Sequence, residues 1–323
     1  MDRGVSDRGQ QLKARIREWA GELGFTSIGF GPAVEPRGAR EGLLSWLAGG
    51  NHGAMAWMAR NPERRVDPAA ILPEARSVIV VTLQYLGPPS AADLAPARIA
   101  RYARGEDYHV VVGDKLHALT DRIRVEHPAL RARIACDTSP VAEKAWAVQA
   151  GVGWLGKNTC VLNPTQGSWF FLGELFVDLE LPPDPPVTDL CGSCTRCLDA
   201  CPTGAFPAPY QLDARRCISY WTLEHRGTLP EGAEDSMPPW LGGCDICQEV
   251  CPWNRKAPVT DEPRLAERAE LVERSVEAWA SISDDEYRAL VRPTALSRIK
   301  PDDLRRNARA ILRASERSDE TST

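Results

Sequence analysis

The sequence reads Cys191-Gly-Ser-Cys194-Thr-Arg-Cys197-Leu-Asp-Ala-Cys201-Pro202, and this cysteine run organises the second half of the chain. A C-x2-C-x2-C-x3-C-P run has the spacing with which bacterial ferredoxins bind [4Fe-4S] clusters. Its first three thiolates bind one cluster, and its fourth binds the neighbouring cluster. The run therefore predicts two clusters and requires a second set of thiols.

The second set of thiols is spread over a longer segment. Cys217 is followed by Cys244-Asp-Ile-Cys247 and then by Cys251-Pro252. If the cysteine before each proline crosses to the other cluster, each cluster receives four thiolates. Four thiolates could also bind a structural zinc ion, which is the alternative for either site. The predicted ligands are Cys191, Cys194, Cys197 and Cys251 for cluster 1 and Cys201, Cys217, Cys244 and Cys247 for cluster 2.

Composition and charge favour a cytoplasmic protein that binds metal through cysteines. The chain has 323 residues, ten cysteines and a net charge of −5. Its first twenty residues contain several arginines and no apolar run of signal-peptide length, so we expect a cytoplasmic protein with reduced, metal-bound thiols and no membrane segment. The negative charge gives no global attraction to nucleic acid, so such a partner would need a local basic patch.

Helical and extended patterns alternate before the cysteines. Apolar residues recur at helical spacing over residues 8–23, and residues 77–83 form a continuous β-branched run typical of a buried strand. Residues 181–187 are proline-rich and predict a linker. The sequence thus predicts an α/β (α+β) fold divided into residues 1–182, a cluster domain at 183–260 and a helical, basic region at 261–323. We expect the tail from Ser315 onward to be disordered.

Three motifs outside the cysteine runs carry a resemblance to a known family. They are Tyr102-Ala-Arg-Gly-Glu-Asp-Tyr108-His109, Asp137-Thr-Ser-Pro140-Val-Ala-Glu143-Lys144-Ala and Ala150-Gly-Val-Gly-Trp-Leu-Gly-Lys157-Asn158-Thr159. Together with both cysteine runs they resemble the epoxyqueuosine reductase family, from about residue 10 to about residue 310. The resemblance implies a cobalamin-dependent enzyme with two [4Fe-4S] clusters. It would reduce epoxyqueuosine at the wobble position of tRNA to queuosine, the last step of queuosine biosynthesis. It also implies a nitroreductase-like corrinoid-binding domain beside a bacterial-ferredoxin-like domain.

Asp137 is the candidate catalytic residue. Opening an epoxide and losing its oxygen as water requires two electrons and protons at the oxygen. A carboxylic acid whose pKa is raised by burial can donate one of these protons, and the resemblance gives that role to Asp137. Taken alone, an aspartate before Thr-x-Pro would more commonly cap a helix.

The corrinoid is expected to bind without a histidine on cobalt. Asp107-Tyr-His109 resembles the start of a histidine-ligand motif, but Gly113 lies one residue too late. The resemblance likewise implies base-off cobalamin, bound largely by backbone and amide groups. The insert between cluster ligands, residues 218–243, is where we expect cluster 2 to face the corrin. The implied cofactor contacts, each of which could instead serve packing or surface polarity, are Arg60, Ala100, Asp137, Lys157, Asn158, Val161, Leu172, Ser219 and Arg226.

The expected substrate side combines a nucleoside pocket with a basic surface that grips phosphates. An external electron donor and a monomeric state are also expected. A corrinoid reductive dehalogenase and a non-catalytic electron-transfer protein remain alternatives, although the N-terminal sequence lacks the twin-arginine signal typical of the former. A solvated helical face is the alternative for the basic residues. The candidates are Tyr108, Glu143 and Lys144 for the nucleoside and Arg298, Lys300, Arg305 and Arg306 for tRNA.

Overall fold

The structure is a computed structural model that describes residues 3–321. Its first half contains α1 (Arg3–Glu22), β1 (Ser27–Pro32), α2 (Ala39–Ala48), α3 (Pro68–Ile71), β2 (Ser77–Gln84), β3 (Arg98–Ile99), α4 (Tyr108–Glu126), β4 (Ala132–Ala135), α5 (Glu143–Gln149), β5 (Trp154–Leu155), β6 (Val161–Leu162) and β7 (Phe170–Val177). Its second half contains α6 (Arg196–Asp199), α7 (Ile218–Leu223), α8 (Ala233–Ser236), β8 (Trp240–Gly242), α9 (Ile246–Glu249), α10 (Ala269–Val272), α11 (Val276–Ala280), α12 (Asp284–Leu290) and α13 (Pro301–Thr321). Short 3-10 helices lie at Ala56–Ala59, Pro62–Arg65, Ala91–Leu94, Arg101–Ala103, Ala214–Arg216, Pro252–Lys256, Pro263–Leu265 and Ala295–Arg298.

The first half is built on an antiparallel sheet with strand order β1-β2-β7-β4. Every residue of β2 is buried because helices cover both faces of the sheet. Ile79 packs in one core with residues of α1 and α4, and Val80 packs on the opposite face with Trp146 of α5. Covering both faces explains why β2 is continuously apolar rather than alternating. The predicted α/β character and the predicted buried strand are confirmed.

A second core lies in the C-terminal half. Ile99 of β3, Trp240 of β8 and Leu304 of α13 are fully or almost fully buried and belong to the same apolar cluster. β3 and β8 pair in parallel, which ties the N-terminal half to the insert between the cluster ligands. This core draws on all three segments of the predicted division at 182 and 260, and that division stays a prediction.

The tail differs from the sequence-based expectation. Helix α13 continues through Thr321, whereas disorder was expected from Ser315. Two ion pairs hold this end of the helix against α8, one between Arg313 and Glu234 and one between Arg317 and Asp235. Alanine, arginine and glutamate in this segment also favour helix. Residues 322–323 lie outside the described residues. Within residues 3–321, no helix is long and apolar enough to cross a membrane.

Candidate active site and cluster ligands

The eight thiols of the two cysteine runs form two groups in space. Cys197 interacts electrostatically with Cys191, Cys194 and Cys251. In the other group, Cys244 interacts with Cys201 and Cys217, and Cys247 with Cys244 and Cys217. These groups contain the two sets that the crossed spacing assigns to the clusters, so four thiolates are available to each. The second group also contains the thiol of Cys160, which hydrogen-bonds with that of Cys247. Iron ligation by the individual cysteines stays a prediction.

Short helices flank these thiols, and nearby N–H groups donate hydrogen bonds to two of them. The one-turn helices α6 and α9 each follow the first cysteines of a run, and the proline after each run prevents helix continuation. The indole Nε1 of Trp154 lies 3.4 Å from Cys191 Sγ, and the Ala205 amide lies 3.3 Å from Cys201 Sγ. Hydrogen bonds to cluster sulfurs are one determinant of reduction potential.

Lys157 and Asn158 connect the two thiol groups. The Lys157 ammonium donates to the carbonyls of Gly192 and Cys194 at 2.6 and 3.0 Å. The Asn158 amide donates to the carbonyl of Cys247 at 3.3 Å. Both predicted cofactor residues therefore hold the backbone of cluster loops. Their contact with a corrinoid stays a prediction.

Asp137 lies at the end of β4, and its side chain is paired with His109. The Asp137 backbone is in the left-handed region with φ +46°, where aspartate is tolerated better than most residues. His109 Nε2 lies 3.0 Å from Asp137 Oδ2, and His109 Nδ1 lies 2.5 Å from Asp107 Oδ1. Asp107 also caps the N-terminus of α4 by accepting the His109 amide at 3.0 Å. A helix cap therefore fixes the histidine that contacts Asp137.

The pKa values of this pair differ from the sequence-based expectation. Burial opposes a charge on His109, but its hydrogen bonds to Asp107 and Asp137 outweigh burial and raise the pKa of His109 to about 9. Burial raises the pKa of Asp137, but the hydrogen bond and charge of His109, with the charge of Arg298, lower it overall. The expected raised pKa of Asp137 is wrong because no histidine partner was foreseen. At neutral pH the proton resides on His109.

The three candidate nucleoside residues lie at different positions relative to the His109–Asp137 pair. The Tyr108 ring stacks on Phe171 with centroids 4.1 Å apart and on His109 with centroids 4.0 Å apart. Glu143 accepts a hydrogen bond from the Asp137 amide, so it lies beneath the loop that carries Asp137. Lys144 is exposed. Contact of these residues with a nucleoside stays a prediction.

A cavity of about 530 Å³ opens beside Asp137. In its wall, the guanidinium groups of Arg65 and Arg298 lie 5.4 and 5.3 Å from the centroid of the Trp57 ring. The buried Nε of Arg65 has no acceptor among residues 3–321. Such a lining suits a ligand rich in anionic or carbonyl oxygens. The lining residues are Trp57, Arg60, Asn61, Arg64, Arg65, Asp137, Thr138, Ser139, Pro140 and Arg298.

The remaining predicted cofactor residues are either buried in the fold or hydrogen-bonded to other parts of the chain, or they lie on the insert. Ala100 is fully buried, and its amide donates to the Gly242 carbonyl at 2.8 Å. Val161 is buried on β6, and the Leu172 carbonyl on β7 accepts from Cys136 Sγ at 3.6 Å. Ser219 lies on α7, within the insert. Arg226 donates to the carbonyls of Leu223 and Arg298 at 3.0 and 2.8 Å, which joins the insert to the C-terminal region.

The basic stretch, residues 298–309, is largely engaged within the protein. Arg298 pairs with Glu224, and Arg305 pairs with Asp284 and Asp302. Arg306 donates to the carbonyls of Trp221 and Gly227 at 2.9 and 2.6 Å. Lys300 is exposed. The acidic and carbonyl partners come from distant segments, so the sequence pattern alone overstates the free positive charge. Binding of tRNA by this stretch stays a prediction.

The chain is similar to known families and proteins. Residues 190–254 match the family model "4Fe-4S double cluster binding domain", and residues 65–138 match "Epoxyqueuosine reductase QueG, DUF1730". The epoxyqueuosine reductase of Leadbetterella byssophila is 40% identical over 294 residues, covering 90% of this chain and 95% of the relative.

Two solved structures are also similar. One is an epoxyqueuosine reductase with an epoxyqueuosine-modified stem loop of tyrosine tRNA, and the other is the Bacillus subtilis enzyme with its catalytic loop swung out of the active site. Each has a TM-score of 0.87 and 32% identity, covering 95% of this chain and 82% of the other.

Proposed function

Because this chain belongs to the epoxyqueuosine reductase family, we infer that it reduces the epoxide of epoxyqueuosine in tRNA to the alkene of queuosine. The reaction consumes two electrons and two protons and releases the epoxide oxygen as water. The observation that carries the assignment is the position of the His109–Asp137 pair at a cavity, in a chain that also gathers eight thiols into two groups. An electron-transfer protein without a substrate would need no such cavity.

Electrons enter through two [4Fe-4S] clusters in this proposal. Cys191, Cys194, Cys197 and Cys251 bind cluster 1, and Cys201, Cys217, Cys244 and Cys247 bind cluster 2. The double-cluster family match over residues 190–254 supports two clusters. Cubane clusters reach potentials as low as about −700 mV, which suits a difficult reduction. An external low-potential donor reloads them.

The cavity chemistry fits a corrinoid, which we propose as the second cofactor. The unsatisfied Nε of Arg65 and the guanidinium groups of Arg60 and Arg64, which form no ion pair within residues 3–321, suit amide carbonyls and a phosphate. When bound, the corrinoid supplies a cobalt centre that passes reducing equivalents to the substrate. Both ring nitrogens of His109 are taken by carboxylates, so His109 is not available as a cobalt ligand. Base-off binding without histidine on cobalt is part of the proposal. The other proposed contacts are Ala100, Asp137, Lys157, Asn158, Val161, Leu172, Ser219 and Arg226.

Proton delivery is the role of Asp137 and His109. The proton on His109 Nε2 lies next to Asp137 Oδ2. Displacing water from the cavity when substrate binds disfavours separated charges, so the proton moves to Asp137. Asp137 then donates it to the epoxide oxygen, and His109 holds Asp137 in place. The second proton comes from solvent.

The tRNA meets the protein around the same cavity. Arg60 and Arg64 are exposed cations at its mouth, and Trp57 offers a ring for base stacking. Lys300 and Arg298 of the basic stretch extend this surface. Tyr108 and Lys144 serve the nucleoside side, and Glu143 supports the Asp137 loop behind them. We also propose that the protein acts as a monomer and in the cytoplasm.

The test is anaerobic incubation of reconstituted protein with epoxyqueuosine-containing tRNA, cobalamin and a strong reductant, followed by nucleoside mass spectrometry. We expect epoxyqueuosine to lose one oxygen and become queuosine. Omitting cobalamin should prevent the conversion. Unchanged epoxyqueuosine with fully loaded clusters would contradict the proposed function.

A further inference from the structure

A pair of carboxyl groups, the buried Glu174 and the partly buried Glu143, lies beneath the Asp137 loop and is not used by the proton transfer described above. Glu174 is on β7, where its Cα is opposite Val80 of β2 and Ala135 of β4. Its side chain is 0% exposed. On β7 it shares a face with Phe176, which packs against Trp146 of α5. Glu174 therefore faces α5, whose first residue is Glu143.

The surroundings of Glu174 require a proton. Neither of its carboxylate oxygens receives a hydrogen bond from a donor among residues 3–321. The Glu143 carboxyl lies within hydrogen-bonding reach of Glu174, yet two ionised carboxylates can only accept. A buried charge without a donor or a cation is strongly unfavourable, so one proton lies between the two groups.

The neighbouring charges lead to the same protonation state. Burial, and then the charge of Glu143, raises the pKa of Glu174 well above its ordinary value. Burial, and then the charge of Asp137, raises the pKa of Glu143. The Cys136 thiol also faces the pair, and His109 is the cation that acts on Glu143. Glu174 is therefore the protonated member, and Glu143 is the acceptor.

Glu143 connects the acid pair to the catalytic loop. Its Oε1 accepts the backbone N–H of Asp137. The Asp137 backbone has φ +46°, a conformation that aspartate adopts more readily than most residues but that still favours a neighbour to hold it. The hydrogen bond from the Asp137 amide is such a hold. It fixes Asp137 where its side chain meets both His109 and the cavity.

We propose that Glu174 is a positioning residue that remains protonated, donates a hydrogen bond to Glu143 and thereby keeps Glu143 anchored to the Asp137 amide. The consequence for catalysis rests on the proposed function, but the protonation of Glu174 and the anchoring of the loop do not. Losing the shared proton would leave two carboxylates facing each other beneath Asp137. Their repulsion would release the loop.

Two substitutions at one position separate positioning from proton delivery. Glu174→Gln keeps a hydrogen-bond donor toward Glu143 but carries no acidic proton. Glu174→Leu fills the same space without a donor, so Glu143 loses its partner. Glu180→Gln is the matched control, since the Glu180 side chain is exposed and is paired with Arg76.

The measurements use the reconstituted holoprotein at pH 7. Infrared spectra of the three proteins are compared by subtraction. The wild type and Glu180→Gln should both show the C=O band of a protonated carboxyl group, and Glu174→Gln should lack it. Amide hydrogen exchange over residues 136–142 should be unchanged in Glu174→Gln and at least about tenfold faster in Glu174→Leu. Epoxide reduction should stay within about threefold in Glu174→Gln and fall at least about tenfold in Glu174→Leu, in kcat rather than KM.

Three results would overturn the proposal. One is a wild-type spectrum without a carboxyl band that Glu174→Gln removes. Another is loop exchange in Glu174→Gln as fast as in Glu174→Leu. The third is loss of turnover in Glu174→Gln with a protected loop, which would make Glu174 a proton donor. If the wild type itself fails to reduce epoxyqueuosine, the proposed function falls, while the infrared and exchange results still decide the role of Glu174.

Discussion

His109 Nε2 lies 3.0 Å from Asp137 Oδ2, and the opposite ring nitrogen of His109 is held by Asp107. The candidate proton donor is therefore one part of a carboxylate–imidazole–carboxylate chain. This arrangement stores the proton on His109 rather than on Asp137, because the two carboxylates stabilise the imidazolium. The proton on His109 therefore reaches a ligand in the cavity by way of the Asp137 carboxylate.

Replacing Asp137 by asparagine should remove proton delivery without disturbing the clusters. Asparagine is nearly isosteric but cannot donate an acidic proton, and general acid catalysis contributes about 10²- to 10⁴-fold. We expect single-turnover epoxide reduction to fall by about that factor, with unchanged iron content. Asp302→Asn, at an exposed position of α13, is the control. Wild-type-like turnover in Asp137→Asn would exclude this residue as the acid.

Replacing Cys217 by serine should affect cluster 2 alone. Its thiol lies among Cys201, Cys244 and Cys247, with Cys160 also beside them, and the other four thiols of the two cysteine runs form their own group. Anaerobic iron analysis should show a loss of about four irons per chain, or conversion to a smaller cluster. Cys136→Ala is the control because Cys136 is buried away from both groups and bonds the Leu172 carbonyl. Equal iron loss in the control would contradict the grouping.

Removing Arg60 and Arg64 together should weaken tRNA binding more than removing paired arginines. Both line the cavity, and neither forms an ion pair within residues 3–321. If both neutralise phosphates, the slope of log affinity against log salt should become less negative by about 1 for each arginine removed. Arg288→Ala is the control because Arg288 already pairs with Asp285. A salt slope equal to that of the wild type would locate the phosphate-binding residues elsewhere.

Asn307 should be important for stability rather than activity. It is fully buried, and its amide donates to the carbonyls of Thr222 and Leu241, both at 2.9 Å. Asn307→Ala leaves two buried acceptors unpaired, so the free energy of unfolding should fall by about 2 to 4 kcal/mol. Chemical denaturation checks this value, and Lys300→Ala on the exposed surface should change it by less than about 0.5 kcal/mol. A similar loss in both variants would contradict the packing described for α13.

The crossed spacing predicted which thiols of the two cysteine runs lie near one another, while their ligation of iron stays a prediction. Cys251 joins Cys191, Cys194 and Cys197 as the crossed pattern expects. The β2 strand was likewise predictable because a continuous β-branched run has few other uses in a soluble fold. The strand depends on a short-range pattern, and the grouping of Cys251 depends on the rule that the cysteine before proline crosses to the other cluster.

The proton chain was not predictable in the same way. His109 and Asp137 are 28 residues apart, and Glu143 and Glu174 lie on a helix and a strand whose contact depends on the sheet order. For Arg306 the sequence predicted a cation available to tRNA. In the structure its guanidinium donates hydrogen bonds to backbone carbonyls of the insert instead. Pairing over such distances is a property of the tertiary fold.

The most direct test of the central claim is the pH dependence of single-turnover epoxide reduction in the wild type and in His109→Gln. The pKa of His109 is raised to about 9, so the proton is present at pH 7 and is lost as the pH rises through about 9. We predict a wild-type rate that is constant near neutrality and falls above about pH 9, and a slower His109→Gln rate that lacks this limb. Identical pH profiles for the two proteins would contradict proton storage on His109.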